Sequence, residues 1–191
     1  DFTFASSVEV IALLGLKPVL VDVEIDTFNI DFNKIEKALT NKTKAIIPVH
    51  LFGQTAEMKK IMDIAKKNNL FVIEDNAQAI GSVYRNNSEK VKAGTIGHIG
   101  TTSFFPSKNL GAYGDGGAIF TEDDDLAHTL RGIVNHGMYV RYYHDLVGVN
   151  SRLDSIQASI LDIKLDYLDD YNNSRCIAAS KYNLRFKDQS N

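Results

Sequence analysis

Lys108 lies in "SFFPSKNLGAYGDGG" (103–117), a stretch that holds its backbone tightly on both sides of one flexible amine. Phe104, Phe105 and Pro106 precede it; Gly111, Gly114, Gly116 and Gly117 follow. Glycines of this kind permit positive φ and close approach of the main chain. A lysine amine forms a Schiff base with a carbonyl compound where its surroundings favour the neutral form. The ordinary role of a lysine is a solvated surface charge. The second residue of interest is Asp75, which ends the apolar run "LFVIED" (70–75). Ligands of open parallel sheets bind beyond the carboxyl ends of strands. A carboxylate there keeps a ring nitrogen protonated, since a nearby negative charge favours the cationic form. The more ordinary role of Asp75 is to cap a helix that follows in "DNAQAIG". On the residues alone the cap is the favoured reading of Asp75, whereas the surroundings of Lys108 count against a merely solvated lysine.

Other chemistries lack their patterns. The glycines after Lys108 do not form a P-loop, which needs Lys and Ser/Thr directly after its last glycine. "GTIGHIG" (94–100) spaces its glycines by two residues throughout and is not a dinucleotide fingerprint. The histidines, at 50, 98, 128, 136 and 144, have no helical metal spacing, and no cysteine stands at ligand distance. No G-x-S-x-G elbow is present. No metal site is expected. A net charge of −3 with scattered Lys and Arg argues against a nucleic-acid or anionic-membrane surface. Cys176 is the single cysteine, so no internal disulfide forms, which suits a reducing, cytoplasmic setting.

The elements that must position these residues alternate. "PVLVDV" (18–23), "KAIIPVH" (44–50) and "LFVIED" read as buried strands, with further strands at 99–105 and 117–121. "DFNKIEKALT" (31–40), with Asp31 as its cap, and "AEMKKIMDIAKKNN" (56–69) read as helices, as does 123–134. In the second, Met58, Ile61, Met62 and Ala65 share one face and lysines the other. The rhythm predicts an α/β fold with a mostly parallel sheet covered on both faces by helices. Residues 136–150 have no clean period and read as a long loop. From Leu153 onward, Ile156, Ile160, Ile163 and Tyr167 predict one long helix, with Ser151 and Asp154 as a capping pair. Two regions follow: 1–150, a large domain incomplete at its N-terminus, and 151–191, a long helix leading towards a small second domain. The opening "DFTF", without an initiator methionine, and the polar close "FKDQSN" read as the ends of a piece of a longer chain.

Taken in order, "DFTFASS", "PVLVDVEIDTFNID", "TKAIIPVHLFGQ", "VIEDNAQAIGS", "SFFPSKNLGAYGDGGAIFT", "NHG" and "VNSRLDSIQASIL" resemble the DegT/DnrJ/EryC1/StrS group of sugar aminotransferases, which use pyridoxal 5′-phosphate (PLP). The resemblance covers nearly the whole chain. It implies the aspartate-aminotransferase-like large domain, fold type I of the PLP enzymes. It places Lys108 where the family lysine joins the cofactor and Asp75 beside the pyridinium nitrogen. Gln78 falls beside the cofactor's hydroxyl oxygen, Ser103 at its phosphate, and Phe4 against its face. Asn150 falls where the family reaches the phosphate of a neighbouring subunit, which implies a homodimer with a shared site. Tyr113, Arg152, Tyr143 and His144 are candidates for contact with substrate.

The implied reaction moves an amino group, from L-glutamate as usual donor, to a nucleotide-linked keto sugar, giving an amino sugar for polysaccharide or natural-product assembly. Asp75 keeps the cofactor ring protonated, and Lys108 moves a proton as base and acid. Two parts of the family plan are absent from residues 1–191: the segment ahead of "FTF" that contacts the phosphate, and most of the small domain. Residues 1–191 alone are therefore expected to bind PLP weakly and to be inactive. Related dehydratases carry histidine in place of the lysine, so Lys108 favours amino transfer. A non-catalytic regulatory relative is the alternative from another class.

Overall fold

A computed structural model describes residues 2–86 and 89–187. At its centre is a four-stranded sheet built from β1 (Ala45–Ile46), β2 (Phe71–Asp75), β5 (Ile99–Ser103) and β6 (Gly117–Phe120), adjacent in that order. β1 and β5 each run parallel to β2, with Ile46 opposite Val72 and Asp75 opposite Thr101; β6 is antiparallel to β5. The expected α/β architecture with a mostly parallel sheet is thus present.

Two helices cover one face. In α2 (Phe32–Ala38), Asp31 caps the first turn by accepting from the Asn33 N–H at 3.0 Å. In α3 (Met58–Lys67), Met58, Ile61 and Ala65 fall on one stripe and are wholly buried, while Lys66 and Lys67 sit where a helix end is partially negative. Met58, Ile61 and Ala65 pack with Ile35, Ile46 and Val72 in the larger core. Each large apolar side chain buried there contributes about 1.5–3 kcal/mol. The two-residue period of β2 turns Val72 and Glu74 into this core and Phe71, Ile73 and Asp75 to the other face. On that other face Ser7, in the helix of residues 5–13, reaches Asp75, while Phe71 at the start of the strand is 57% exposed.

Other expectations give way. Residues 18–23 are not a strand. Among the described residues their one ladder contact is an isolated antiparallel bridge from Val23 to Ile30. "KAIIPVH" pairs only at Ala45 and Ile46, because Pro48 has no N–H to give; Val49 makes one isolated bridge to Asp75. Helix α1 (Ala5–Leu13) and the hairpin of β3 (Val83–Asn86) and β4 (Glu89–Lys92) were not expected. The 136–150 loop follows α4 (Asp124–Ile133) and contains a short hairpin, β7 (Met138–Val140) and β8 (Tyr143–His144).

The long helix is two: α5 (Ser155–Leu165) and α6 (Leu168–Phe186). Asp154 precedes α5 without a side-chain cap bond, so the capping pair does not form. The expected apolar face also lies elsewhere. Ile156 and Ile163 are exposed, and Leu161 and Leu168 are buried against Phe104, Leu110 and Ala112. No described helix is long and apolar enough to cross a membrane.

Candidate functional site

Adjacent parallel strands end side by side, and the candidate residues follow those ends. Asp75 closes β2, and Gln78 lies in the turn after it. Ser103 closes β5, and Lys108 lies in the loop after it. The two strands pair up to Asp75 opposite Thr101, two residues before Ser103.

Each side chain is held by contacts that leave a specific capacity open. Asp75 Oδ1 accepts from the Ala77 N–H at 3.1 Å, so Asp75 does cap the following turn; Oδ2 accepts from Ser7 Oγ at 2.6 Å. A carboxylate oxygen takes two donors, so both oxygens keep a lone pair. Gln78 Oε1 accepts from the Phe52 N–H at 2.8 Å, which leaves its NH2 as a donor. Phe52 points that N–H from a left-handed conformation, φ 55°, rare for a large side chain. Ser103 Oγ accepts from the Phe105 N–H at 3.2 Å, which leaves its hydroxyl hydrogen for an anion. Lys108 is half-buried, and its Nζ makes no hydrogen bond or ion pair among the described residues.

The Lys108 loop is built from short-range closures. The Lys108 N–H donates to Phe105 O across Pro106, and Phe104 exchanges backbone bonds with Gly116 and Ala112 at 2.8 Å each. None of Gly111, Gly114, Gly116 and Gly117 has positive φ, so the expected use of that freedom is not found. Gly111 is needed for closeness: a Cβ there would stand 2.4 Å from Pro106 O.

Behind Asp75 lies a fully buried polar cluster. His50 Nδ1 accepts from the Ala56 N–H at 3.2 Å, which makes the ring neutral with its proton on Nε2. Nε2 then donates to Glu74 Oε2 at 2.8 Å. The same carboxylate accepts from the N–H groups of Gly94 (2.8 Å), Ile96 (2.6 Å) and Gly97 (2.5 Å). Burial pushes the Glu74 carboxyl up, but the bonds from His50, Gly97, Gly94 and Ile96 outweigh it and hold it below the ordinary glutamate value. His50 is thus a satisfied structural histidine, and its backbone N–H donates to Asp75 O at 3.0 Å.

The remaining candidates stand apart from this group or at its margin. Phe4 precedes α1 three residues before Ser7 and is 62% exposed. Tyr113 is 78% exposed; its N–H donates to Gln157 Oε1 at 2.8 Å. Asn150 and Arg152 line a cavity of about 950 Å³ between β6 and α4, which none of Asp75, Gln78, Ser103 and Lys108 touches. Tyr143 and His144 form β8, with His144 Nδ1 2.8 Å from His136 O. Among the described residues no group of three His, Cys, Asp or Glu side chains is placed to hold a metal. Sequence reasoning gave no role to Ser7 or Phe52. Ser7 stood inside "DFTFASS", but nothing local showed that its hydroxyl meets a strand end 68 positions away.

This arrangement has counterparts. A "Pleiotropic regulatory protein" of Geobacillus stearothermophilus is 52% identical over 181 residues, covering 95% of this chain and 48% of that protein. A UDP-2-acetamido-2-deoxy-3-oxo-D-glucuronate aminotransferase of Pseudomonas aeruginosa is 48% identical, covering 97% of this chain and 51% of that protein. The solved structure of ntda from Bacillus subtilis, with bound cofactor PMP, superposes with a TM-score of 0.87 at 34% identity, over 98% of this chain and 43% of that one. The chain spans about half the length of the curated relatives it matches. The family model for these aminotransferases matches residues 1–191, and the chain belongs to the DegT/DnrJ/EryC1/StrS aminotransferase family.

Proposed function

We propose that this chain carries the cofactor-holding part of a PLP-dependent nucleotide-sugar aminotransferase. The observation that carries the reading is that Asp75 and Ser103 close neighbouring parallel strands, with Gln78 and Lys108 on the loops that follow. The donor set suits PLP group by group. Asp75 has lone pairs for a protonated ring nitrogen, and the Gln78 NH2 suits the ring oxygen. The Ser103 hydroxyl suits a phosphate, and Lys108 suits the aldehyde. When bound, PLP supplies the electron sink that allows an amine to be exchanged for a carbonyl oxygen.

The chain's own residues do the rest. Asp75, with its carboxylate oriented by Ser7 and Ala77, keeps the ring nitrogen protonated. Lys108 moves a proton between carbon atoms as general base and then general acid. Phe4 lies against the cofactor face. Asn150 serves the phosphate of a second subunit in a homodimer, which accords with its place on a cavity that the Lys108 group does not line. Arg152, Tyr113, Tyr143 and His144 belong to substrate contact. The acceptor is a nucleotide-linked keto sugar, as the name of the P. aeruginosa relative supports, and the amino donor in this reading is L-glutamate. A second reading follows from the name of the G. stearothermophilus relative: a regulatory protein that holds cofactor without turnover.

Borohydride reduction of the cofactor-saturated full-length protein, followed by peptide mass spectrometry, tests the assignment. A pyridoxyl group on Lys108 is expected, together with turnover of a keto-sugar nucleotide. Absence of the adduct in folded protein overturns the aminotransferase reading; an adduct without turnover of any sugar nucleotide favours the regulatory one.

A further inference from the structure

Asn172, on α6, joins the two loops that carry the candidate residues. Its Oδ1 accepts from Asn109 Nδ2, next to Lys108 in sequence, and its Nδ2 donates to Ile80 O at 3.1 Å, at the end of the Gln78 turn. These partners lie 63 and 92 positions away along the chain. One planar amide thus spans both loops, and rotating it by half a turn would set like against like at both ends. Its seat is specific. Gly81 lies against it with φ +88°, and a Cβ on Gly81 would stand 2.6 Å from Asn172 Nδ2. The Lys108 loop has further ties to the same pair of helices: Lys164 Nζ to Gly111 O, and Arg175 Nη2 to Ser107 O at 3.4 Å.

We infer that Asn172 is a positioning residue that sets the Lys108 loop against the Asp75–Gln78 turn. It touches neither reacting group and acts through Asn109 and Ile80. The inference rests on the aminotransferase reading, because it assigns a consequence for proton transfer by Lys108. A misplacement of about 1 Å in such a group slows reaction on the order of a hundredfold. No other side chain of this size both accepts and donates in one plane. Asp keeps the acceptor for Asn109 but sets a carboxylate oxygen against Ile80 O, and Ala loses both bonds.

The test uses full-length wild type, Asn172→Ala and Asn172→Asp, each saturated with PLP. Three quantities are read: thermal midpoint, the pH midpoint of cofactor absorbance, and the single-turnover rate with amino donor. The expected result is a rate lowered on the order of tenfold to a hundredfold in both Asn172→Ala and Asn172→Asp. The absorbance midpoint moves in both variants, and the donor concentration for half-maximal rate stays near wild type. A purely structural residue would lower the thermal midpoint and cofactor occupancy but leave the loaded fraction with wild-type rate and absorbance midpoint; that outcome overturns the inference. If Asn172→Ala does not fold, Asn172→Asp decides by the same readings. A borohydride adduct on Lys108 in wild type separates the two levels. Without it the aminotransferase reading fails and takes this inference with it; with it, unchanged variants sink this inference alone.

Discussion

His50 Nε2 lies 2.8 Å from Glu74 Oε2, with both side chains fully buried, one residue behind the carboxylate that closes β2. The same Glu74 gathers three backbone N–H groups from residues 94–97, so one carboxylate ties β2, the turn entering β5 and the segment after β1. The two-residue strand period places Glu74 inward and Asp75 outward. The inner carboxylate thereby fixes the backbone from which the outer one projects.

Glu74→Gln is expected to lower the unfolding free energy of the full-length protein by about 3 kcal/mol at pH 7, because the amide nitrogen meets donors where the carboxylate accepted. The sign of its pH dependence follows from a folded value below the unfolded one. The Glu74 contribution is complete above the unfolded value, near pH 4.5, and is lost as pH falls through the lower folded value. Urea unfolding of both proteins at several pH values should therefore show a gap that narrows in acid. A constant gap would mean that the carboxylate's charge is not what the cluster binds.

Helix α1 has no buried residue, so the bond from Ser7 Oγ to Asp75 Oδ2 is a principal polar tie between it and the sheet. A hydrogen bond to a charged acceptor contributes about 2 kcal/mol. Ser7→Ala should then speed amide exchange over residues 5–13 by roughly thirtyfold while leaving α3 and β2 unchanged. Equal exchange in the two proteins would show that α1 is held by something other than this bond.

What the sequence made legible was local. Met58, Ile61 and Ala65 carry a helical stripe, Asp31 a cap, and "LFVIED" an apolar run ending in a carboxylate; each survives in the structure because the signal and its cause lie within a few residues. Residues 18–23 have the same strand composition but, among the described residues, pair only through one bridge from Val23 to Ile30, and strand formation depends on such pairing. On α5 the period was present, but the face that packs is set by Phe104 and Leu110, far away in sequence. Lys108 and Asp75 were visible as residue types beside punctuating neighbours. Ser7, Phe52 and Asn172 were not, because their meaning lies entirely in long-range hydrogen bonds.

Gly111→Ala tests the Lys108 loop directly. The added Cβ would stand 2.4 Å from Pro106 O and 2.8 Å from Pro106 C, both backbone atoms, so the loop must shift and not merely a side chain. Gly111 is buried between Leu110 and Ala112 of the smaller core, and the added bulk is expected to cost about 1–3 kcal/mol, lowering the thermal midpoint by several degrees. Turnover should fall much further, on the order of a hundredfold, because Lys108 is three residues away in the same closed loop. A parallel loss of stability and turnover would place Gly111 among purely structural glycines.

Asp75→Asn separates the two roles of that carboxylate. The amide oxygen can still accept from the Ala77 N–H at 3.1 Å, so the turn cap survives. What disappears is the negative charge that would hold a ring nitrogen protonated. The variant is therefore expected to fold, to bind PLP, and to give a borohydride adduct on Lys108, yet to transfer amine about a hundredfold to ten-thousandfold more slowly. Asp75→Ala removes the cap as well, and should lose stability by about 1 kcal/mol beyond the asparagine variant. Single-turnover rates with L-glutamate, set beside the thermal midpoints of the two variants, distinguish charge from cap. A fast Asp75→Asn enzyme would remove Asp75 from the cofactor site and leave it as the end of a strand.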